Sequence, residues 1–211
     1  MVKVAFLFDQ SNNWIKKYLP KDISKLRKFE FHEIDNEKEV RGFDLVFVLG
    51  YTKILKGEIL ETNKLILVVH ESDLPKGRGF APVQWQVLNG SRNITVCLLK
   101  VSEKADTGDI CEKMILSLDG SELYDEIRYK QAQVTFRLIE RFLKNYPNYI
   151  FTEQVGMPTF YRRRTPRDSM VDVDKTIRDQ FKLLQVCNNS EWPAFFELNN
   201  ATYILKIEKL E

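Results

Sequence analysis

The sequence predicts an α/β fold, a Rossmann-like open and mostly parallel sheet, and three observations carry that reading. Residues 2–9, 43–49 and 63–70 are near-continuous runs of β-branched, leucine and aromatic side chains, as expected of strands buried on both faces. Segments with helical spacing of apolar residues alternate with strand-like ones, the order that builds crossover connections. A long amphipathic helix over residues 121–144 then offers one stripe wide enough to cover a sheet face.

Taken in order, the first strand covers residues 2–9 and ends at Asp9. Residues 12–19 (Asn-Asn-Trp-Ile-Lys-Lys-Tyr-Leu) follow with helical spacing, residues 29–35 alternate as a strand does, and residues 43–49 form a second buried strand. A third, residues 63–70, runs into a loop holding Pro75, Gly77 and Gly79. Residues 81–88 read as a short helix with Pro82 in its first turn, where a missing N–H costs nothing. Two more strands, 93–101 and 110–118, enclose a polar loop. The helix over 121–144 carries Leu123, Ile127, Ala132, Phe136, Ile139 and Leu143 on its stripe, with Ser121 as its cap. Beyond Pro147 the texture changes to an extended basic segment with Gly156, Pro158, Pro166 and Tyr161-Arg162-Arg163-Arg164. A helix over 172–184 and two strands, 194–198 and 202–208, joined by Asn199-Asn200 as a hairpin, complete the chain. The expected organisation is a domain of residues 1–150 with a wrap-around extension of residues 151–211.

Composition narrows the function classes. At 211 residues with 44% hydrophobic content the chain buries an ordinary core without staples. Thirty-two basic against thirty acidic residues leave a net charge of +2, which argues against a nucleic-acid partner. Cys97, Cys111 and Cys187 lack disulfide or zinc spacing and read as reduced core thiols, which points to the cytoplasm. The apolar runs are too short for a signal-peptide core or a membrane span, so no membrane partner is expected.

Open α/β sheets bind ligands beyond the carboxyl ends of their strands, so polar residues there come first. After the first strand stands Asp9-Gln10-Ser11-Asn12, without the glycines that let a backbone close on a pyrophosphate, and no P-loop pattern occurs. Attention falls on Val69-His70-Glu71-Ser72 and on Lys104-Ala105-Asp106-Thr107-Gly108-Asp109. A lone histidine is more often a satisfied core residue, but His70 ends a wholly apolar strand at the edge where ligands bind, and imidazole exchanges protons near neutral pH. His32, in an alternating segment, reads as structural. By itself Asp106 reads as turn chemistry, with Gly108 supplying a positive φ. No residue set suggests a metal.

Read together, His70-Glu71-Ser72-Asp73-Leu74-Pro75-Lys76-Gly77-Arg78-Gly79-Phe80-Ala81-Pro82-Val83-Gln84 resembles the signature of the 10-formyltetrahydrofolate-dependent formyltransferases, closest to the sugar N-formyltransferases of pseudaminic and related nonulosonic acid pathways. The likeness continues through Asn89-Gly90 and Asp106-Thr107-Gly108-Asp109-Ile110, and covers residues 43–150 best. It implies the formyltransferase fold for the 1–150 domain, 10-formyltetrahydrofolate as formyl donor, and His70 and Asp106 as catalytic residues. It implies a folate site along Tyr51, Ile54, Leu55, Phe80, Ala81, Pro82, Val83 and Gly108. Where the family carries a catalytic Asn two residues before the His, this chain has Val68, which cannot donate to a developing oxyanion. Another donor, or loss of catalysis, must account for it.

For the acceptor, guanidinium groups suit phosphate and aromatic rings stack on bases, so a nucleotide-linked amino sugar is the expected partner. Candidate acceptor residues are Ser72, Arg78, Gln84, Tyr161, Arg162, Arg164, Trp192 and Phe195, with Trp14 and Trp85 as further stacking surfaces. Alternatives are another amine acceptor, such as a carrier-bound aminoacyl group or glycinamide ribonucleotide, and a folate- or sugar-nucleotide-binding module without turnover. The terminal hairpin is a candidate surface for a homodimer.

Overall fold

The computed structural model of the chain describes residues 1–210. Its elements run β1 (Val2–Phe8), β2 (Phe29–Ile34), β3 (Leu45–Leu49), α1 (Glu58–Thr62), β4 (Leu65–His70), β5 (Arg78–Gly79), α2 (Pro82–Leu88), β6 (Asn93–Lys100), β7 (Ile110–Ser117), α3 (Tyr124–Asn145), β8 (Phe160–Tyr161), α4 (Ile177–Gln185), β9 (Ala194–Leu198) and β10 (Ala201–Leu205). Six strands form one sheet in the order β2-β1-β3-β4-β6-β7. The first four are mutually parallel, whereas β6 pairs antiparallel with both β4 and β7. The mostly parallel sheet read from the sequence is thus present, with an antiparallel pair along one side.

Strand alternation divides the core into two layers. Val4, Phe6 and Phe8 of β1 pack with Phe47 of β3 and Leu67 of β4 beneath Ala132, Phe136, Ile139 and Phe142 of α3. Ala5 and Leu7 face the other way, joining Val46, Val48 and Ile66 over α1 and the segment around Leu55. Burying a large apolar side chain stabilises by roughly 1.5–3 kcal/mol, so the α3 layer is the main source of cohesion.

Several elements differ from the sequence expectation: the helix expected over 172–184 starts only at Ile177, and the strand expected over 202–208 ends at Leu205. Residues 12–19 are not an α-helix; only Lys16–Tyr18 forms a 3-10 turn, ending just before Pro20. A segment this short cannot offset the cost of helix nucleation without a full buried face. Ser121 does not cap α3. The N-cap is Leu123, whose N–H is met by the Glu126 carboxylate at 2.8 Å, while the Ser121 N–H is taken up by Asp119.

The segment beyond α3 folds back onto the sheet side of the molecule. Thr152 bridges Ile110, β8 pairs in parallel with β5, and Met170 bridges Phe195. The β9–β10 hairpin closes on Asn199 and Asn200, both at positive φ (51° and 60°), the two-residue turn that suits strand twist. All three thiols are free, and burial pushes Cys97 and Cys111 up to about 11. Among the described residues no helix is long and apolar enough to cross a membrane.

Candidate active site

His70 is the last residue of β4, and β4 alternates so that Ile66, Val68 and His70 lie on the face away from α3. His70 as a whole is only 6% exposed. Nε2 lies 2.8 Å from the Gly77 carbonyl oxygen, and since a carbonyl only accepts, Nε2 carries the hydrogen and donates it. Nδ1 is therefore the nitrogen free to gain or lose a proton, and it lies 3.4 Å from Oδ1 of Asp106.

Asp106 reaches that position by an indirect route. Because β6 runs antiparallel to β4, its last residue, Lys100, is level with Leu67, below the carboxyl edge. The following loop climbs back along the sheet to bring Asp106 beside His70. Two backbone features make the loop close. Asp106 itself takes the positive φ (57°) that the sequence suggested for Gly108. Gly108 is needed for a different reason: a Cβ there would lie 1.7 Å from the Lys100 carbonyl oxygen. Asp106 Oδ2 accepts the Gly79 N–H at 2.9 Å, which ties this loop to the one after His70.

Both residues open onto a cleft of ≈ 610 Å³ that wraps over the carboxyl edge of the sheet. On the side away from α3 it offers an apolar surface of Tyr51, Ile54, Leu55, Val68, Leu99 and Val101, with Lys53, Lys100 and Lys104 of the same segments beside it. On the α3 side it is polar, with Glu71, Gln84, Arg128, Gln131 and Thr135 below Trp14. There Arg128 donates to Gln131 at 3.0 Å and Gln131 donates to Glu71 at 2.6 Å, while the Thr135 hydroxyl is buried without a partner. Arg128 is also stacked 4.3 Å from the Trp14 ring centroid. The loops after β1 and β3 meet at Asp9. Burial acts to raise the Asp9 pKa, but hydrogen bonds from Ser11 and Thr52 outweigh it and bring it down to about 2.

The structure gathers some of the sequence-predicted residues and separates others. His70, Asp106, Tyr51, Ile54, Leu55, Phe80, Ala81, Pro82, Val83, Gln84, Arg164 and Trp192 line the cleft. Gly108 lies outside it, packed under Lys100. Ser72 is buried with an unpartnered hydroxyl, and Arg78 donates to Gln154 at 2.6 Å, so neither faces the cleft. Tyr161 pairs with Gly79 as a strand residue, and Phe195 packs at the Met170 bridge. Arg162 is held by the Asp168 carboxylate and stacked 4.7 Å from the Trp85 ring centroid, while the Trp85 indole donates to the Arg162 carbonyl. Within the cleft wall, Arg164 spends its guanidinium on the carbonyls of Val186 and Asp168. Arg163 also lines the cleft, stacked 4.2 Å from the Phe80 ring centroid, and among the described residues no carboxylate pairs with it. Gln131 and Thr135 were hidden as polar residues inside an apolar stripe, at i and i+4.

Among the described residues no group of His, Cys, Asp and Glu is placed to hold a metal ion. What the arrangement can do is hold one proton between an imidazole nitrogen and a carboxylate at the wall of a two-sided cleft. The site is thus a buried imidazole–carboxylate pair at the ligand-binding edge of an open α/β sheet. A model of the formyl transferase family matches residues 5–139, and the chain belongs to that family. It is 30% identical over 178 residues to the methionyl-tRNA formyltransferase of Rickettsia prowazekii (strain Madrid E), covering 80% of this chain and 55% of that protein. This chain therefore spans about half the length of that relative. Among solved structures, HypX from Aquifex aeolicus in complex with tetrahydrofolic acid aligns with a TM-score of 0.75 at 17% identity, over 97% of this chain and 37% of that one. A sugar N-formyltransferase from Shewanella sp FDAARGOS_354 aligns with a TM-score of 0.72 at 14% identity, over the whole of both chains.

Proposed function

We propose that the protein transfers the formyl group of 10-formyltetrahydrofolate, drawn from a cytoplasmic folate pool, to the primary amine of a nucleotide-linked amino sugar. The observation that carries this reading is the His70–Asp106 pair standing between an apolar and a polar wall of one cleft. A flat, largely apolar donor suits the surface of Tyr51, Ile54, Leu55, Val68 and Leu99, and a hydroxyl-rich acceptor suits the wall of Glu71, Gln84, Gln131 and Thr135. Arg163 and the half-exposed Trp192 border the same cleft, where a diphosphate and a base would find a cation and a ring. The acceptor class proposed is the pseudaminic acid-type precursor that the sequence resemblance suggested.

The amine nitrogen attacks the formyl carbon, and the bond from that carbon to the folate nitrogen breaks. One proton leaves the amine and one arrives on the departing folate nitrogen. Asp106, whose carboxylate borders the cleft, receives the first and, with Nδ1 of His70 beside it to hold the proton, returns it to the departing folate nitrogen. Nε2 stays on Gly77 throughout, which fixes the ring plane. Val68 contributes no donor to the oxyanion, so its stabilisation falls to another donor that borders the cleft.

A second reading, methionyl-tRNA as acceptor, is favoured by the name of the relative at 30% identity; the net charge of +2 weighs against it. Mass spectrometry of the purified protein with 10-formyltetrahydrofolate, a panel of uridine- and thymidine-linked amino sugars, and charged initiator tRNA tests both. A gain of one formyl group on a sugar is expected; a gain on the tRNA alone would replace this reading with the second.

A further inference from the structure

Residues 152–160 run along the surface, and every one of them is exposed except Gln154. Its side chain turns inward and its amide is fully used. Nε2 donates both hydrogens to the loop that carries Asp106, to the Asp106 carbonyl at 2.9 Å and the Gly108 carbonyl at 2.8 Å. Oε1 accepts from Arg78 at 2.6 Å, which fixes which end of the amide faces the loop. The next residue after Arg78 is Gly79, whose N–H meets Asp106 Oδ2. Asp106 is thus held at both its carbonyl and its carboxylate, in a left-handed backbone conformation that a non-glycine residue adopts only when its surroundings impose it.

We infer that Gln154 is a positioning residue, acting through Asp106: it holds the loop so that Oδ1 faces Nδ1 of His70, and Arg78 acts by orienting the Gln154 amide. The inference rests on His70 and Asp106 being the reacting pair. Its physical basis is that the loop has no strand partner at Asp106 and would otherwise relax toward φ < 0, carrying the carboxylate away from the imidazole. Gln154→Glu keeps the shape but sets a carboxylate against two carbonyls, so it disrupts the loop as effectively as Gln154→Ala.

Two measurements test this. The first needs no turnover: amide hydrogen exchange at Gly79, whose N–H is covered by Asp106, compared with Phe80, whose N–H is covered by the Tyr161 carbonyl. In both Gln154→Ala and Gln154→Glu, Gly79 should exchange about tenfold or more faster with Phe80 unchanged. Equal protection of Gly79 in wild type and variants would overturn the inference. The second is a double-mutant cycle on formyl transfer. Gln154→Ala should lower kcat roughly 10–100-fold with donor KM within about twofold, and should add nothing in an Asp106→Asn background. Additive losses in the cycle would assign Gln154 a general structural role and overturn it. Should wild type transfer no formyl group to any amine offered, the functional reading fails, while the exchange measurement still decides whether Gln154 holds Asp106.

Discussion

Asp9 and Asp106 stand in loops that border the same cleft, and their surroundings are opposites. Asp9 accepts four hydrogen bonds, from the N–H and hydroxyl of Ser11 (2.9 and 2.6 Å) and of Thr52 (2.9 and 2.5 Å). Asp106 accepts one backbone N–H and faces an imidazole nitrogen at 3.4 Å, too long for a strong hydrogen bond. A carboxylate whose lone pairs are all taken is a fixed charge that ties loops together. One with a lone pair turned to an imidazole and to a cleft is available to a proton. Residue type alone does not separate structure from chemistry here; the number of donors around the carboxylate does.

The largest expected effect breaks that contrast on the chemical side. Asp106→Asn should reduce kcat by roughly 10²–10⁴-fold while changing the melting temperature little, because only one hydrogen bond is altered. Steady-state kinetics beside thermal melts check this, and a wild-type rate would reduce Asp106 to a loop residue. His70→Ala should also lose roughly 10²-fold or more in turnover, and in addition about 1–3 kcal/mol of stability, since the buried Gly77 carbonyl loses its donor.

On the structural side, Asp9 keeps its carboxyl at about 2 against an ordinary 3.8. Its contribution to stability is therefore complete above about pH 4 and disappears as pH falls through about 2. Asp9→Asn should destabilise the fold at pH 7 and flatten the fall of melting temperature between about pH 4 and pH 2; an unchanged slope would mean that other groups set the acid limit. The smallest effect separates neighbouring arginines. Arg163→Ala should raise acceptor KM several-fold with kcat nearly unchanged, whereas Arg162→Ala, which removes an ion pair to Asp168, should leave KM alone. Equal effects on KM would undo the assignment of Arg163 to the cleft.

How much of this was legible in the sequence follows from what each element depends on. β1, β3 and β4 are continuous apolar runs whose burial needs no partner to be guessed, and α3 declares itself by its stripe. The Asn199-Asn200 turn was readable because few residues accept positive φ. Residues 12–19 carried helical spacing without the length to nucleate, so periodicity misled there. In the site, His70 was visible by standing at the end of an apolar strand. Its Gly77 partner was not, because a carbonyl has no residue signature. The separation of Arg162, Arg163 and Arg164 depends on Asp168, Val186 and Phe80, which approach only after the chain has folded back. Gln154, alone in a stretch of exposed residues, carried no pattern at all.

The parallel pairing of β8 with β5 has a consequence for protein engineering. Thr159 and Tyr161 satisfy the backbone of Gly77, Arg78 and Phe80, so the strip that shapes the rim of the cleft is shared between two distant stretches of polypeptide. A chimera that exchanges the C-terminal portion for that of another protein should therefore be spliced after residue 161. A junction placed near residue 150 would deliver a foreign strand to a seam whose Gly77, Arg78 and Phe80 N–H groups each need an acceptor from it.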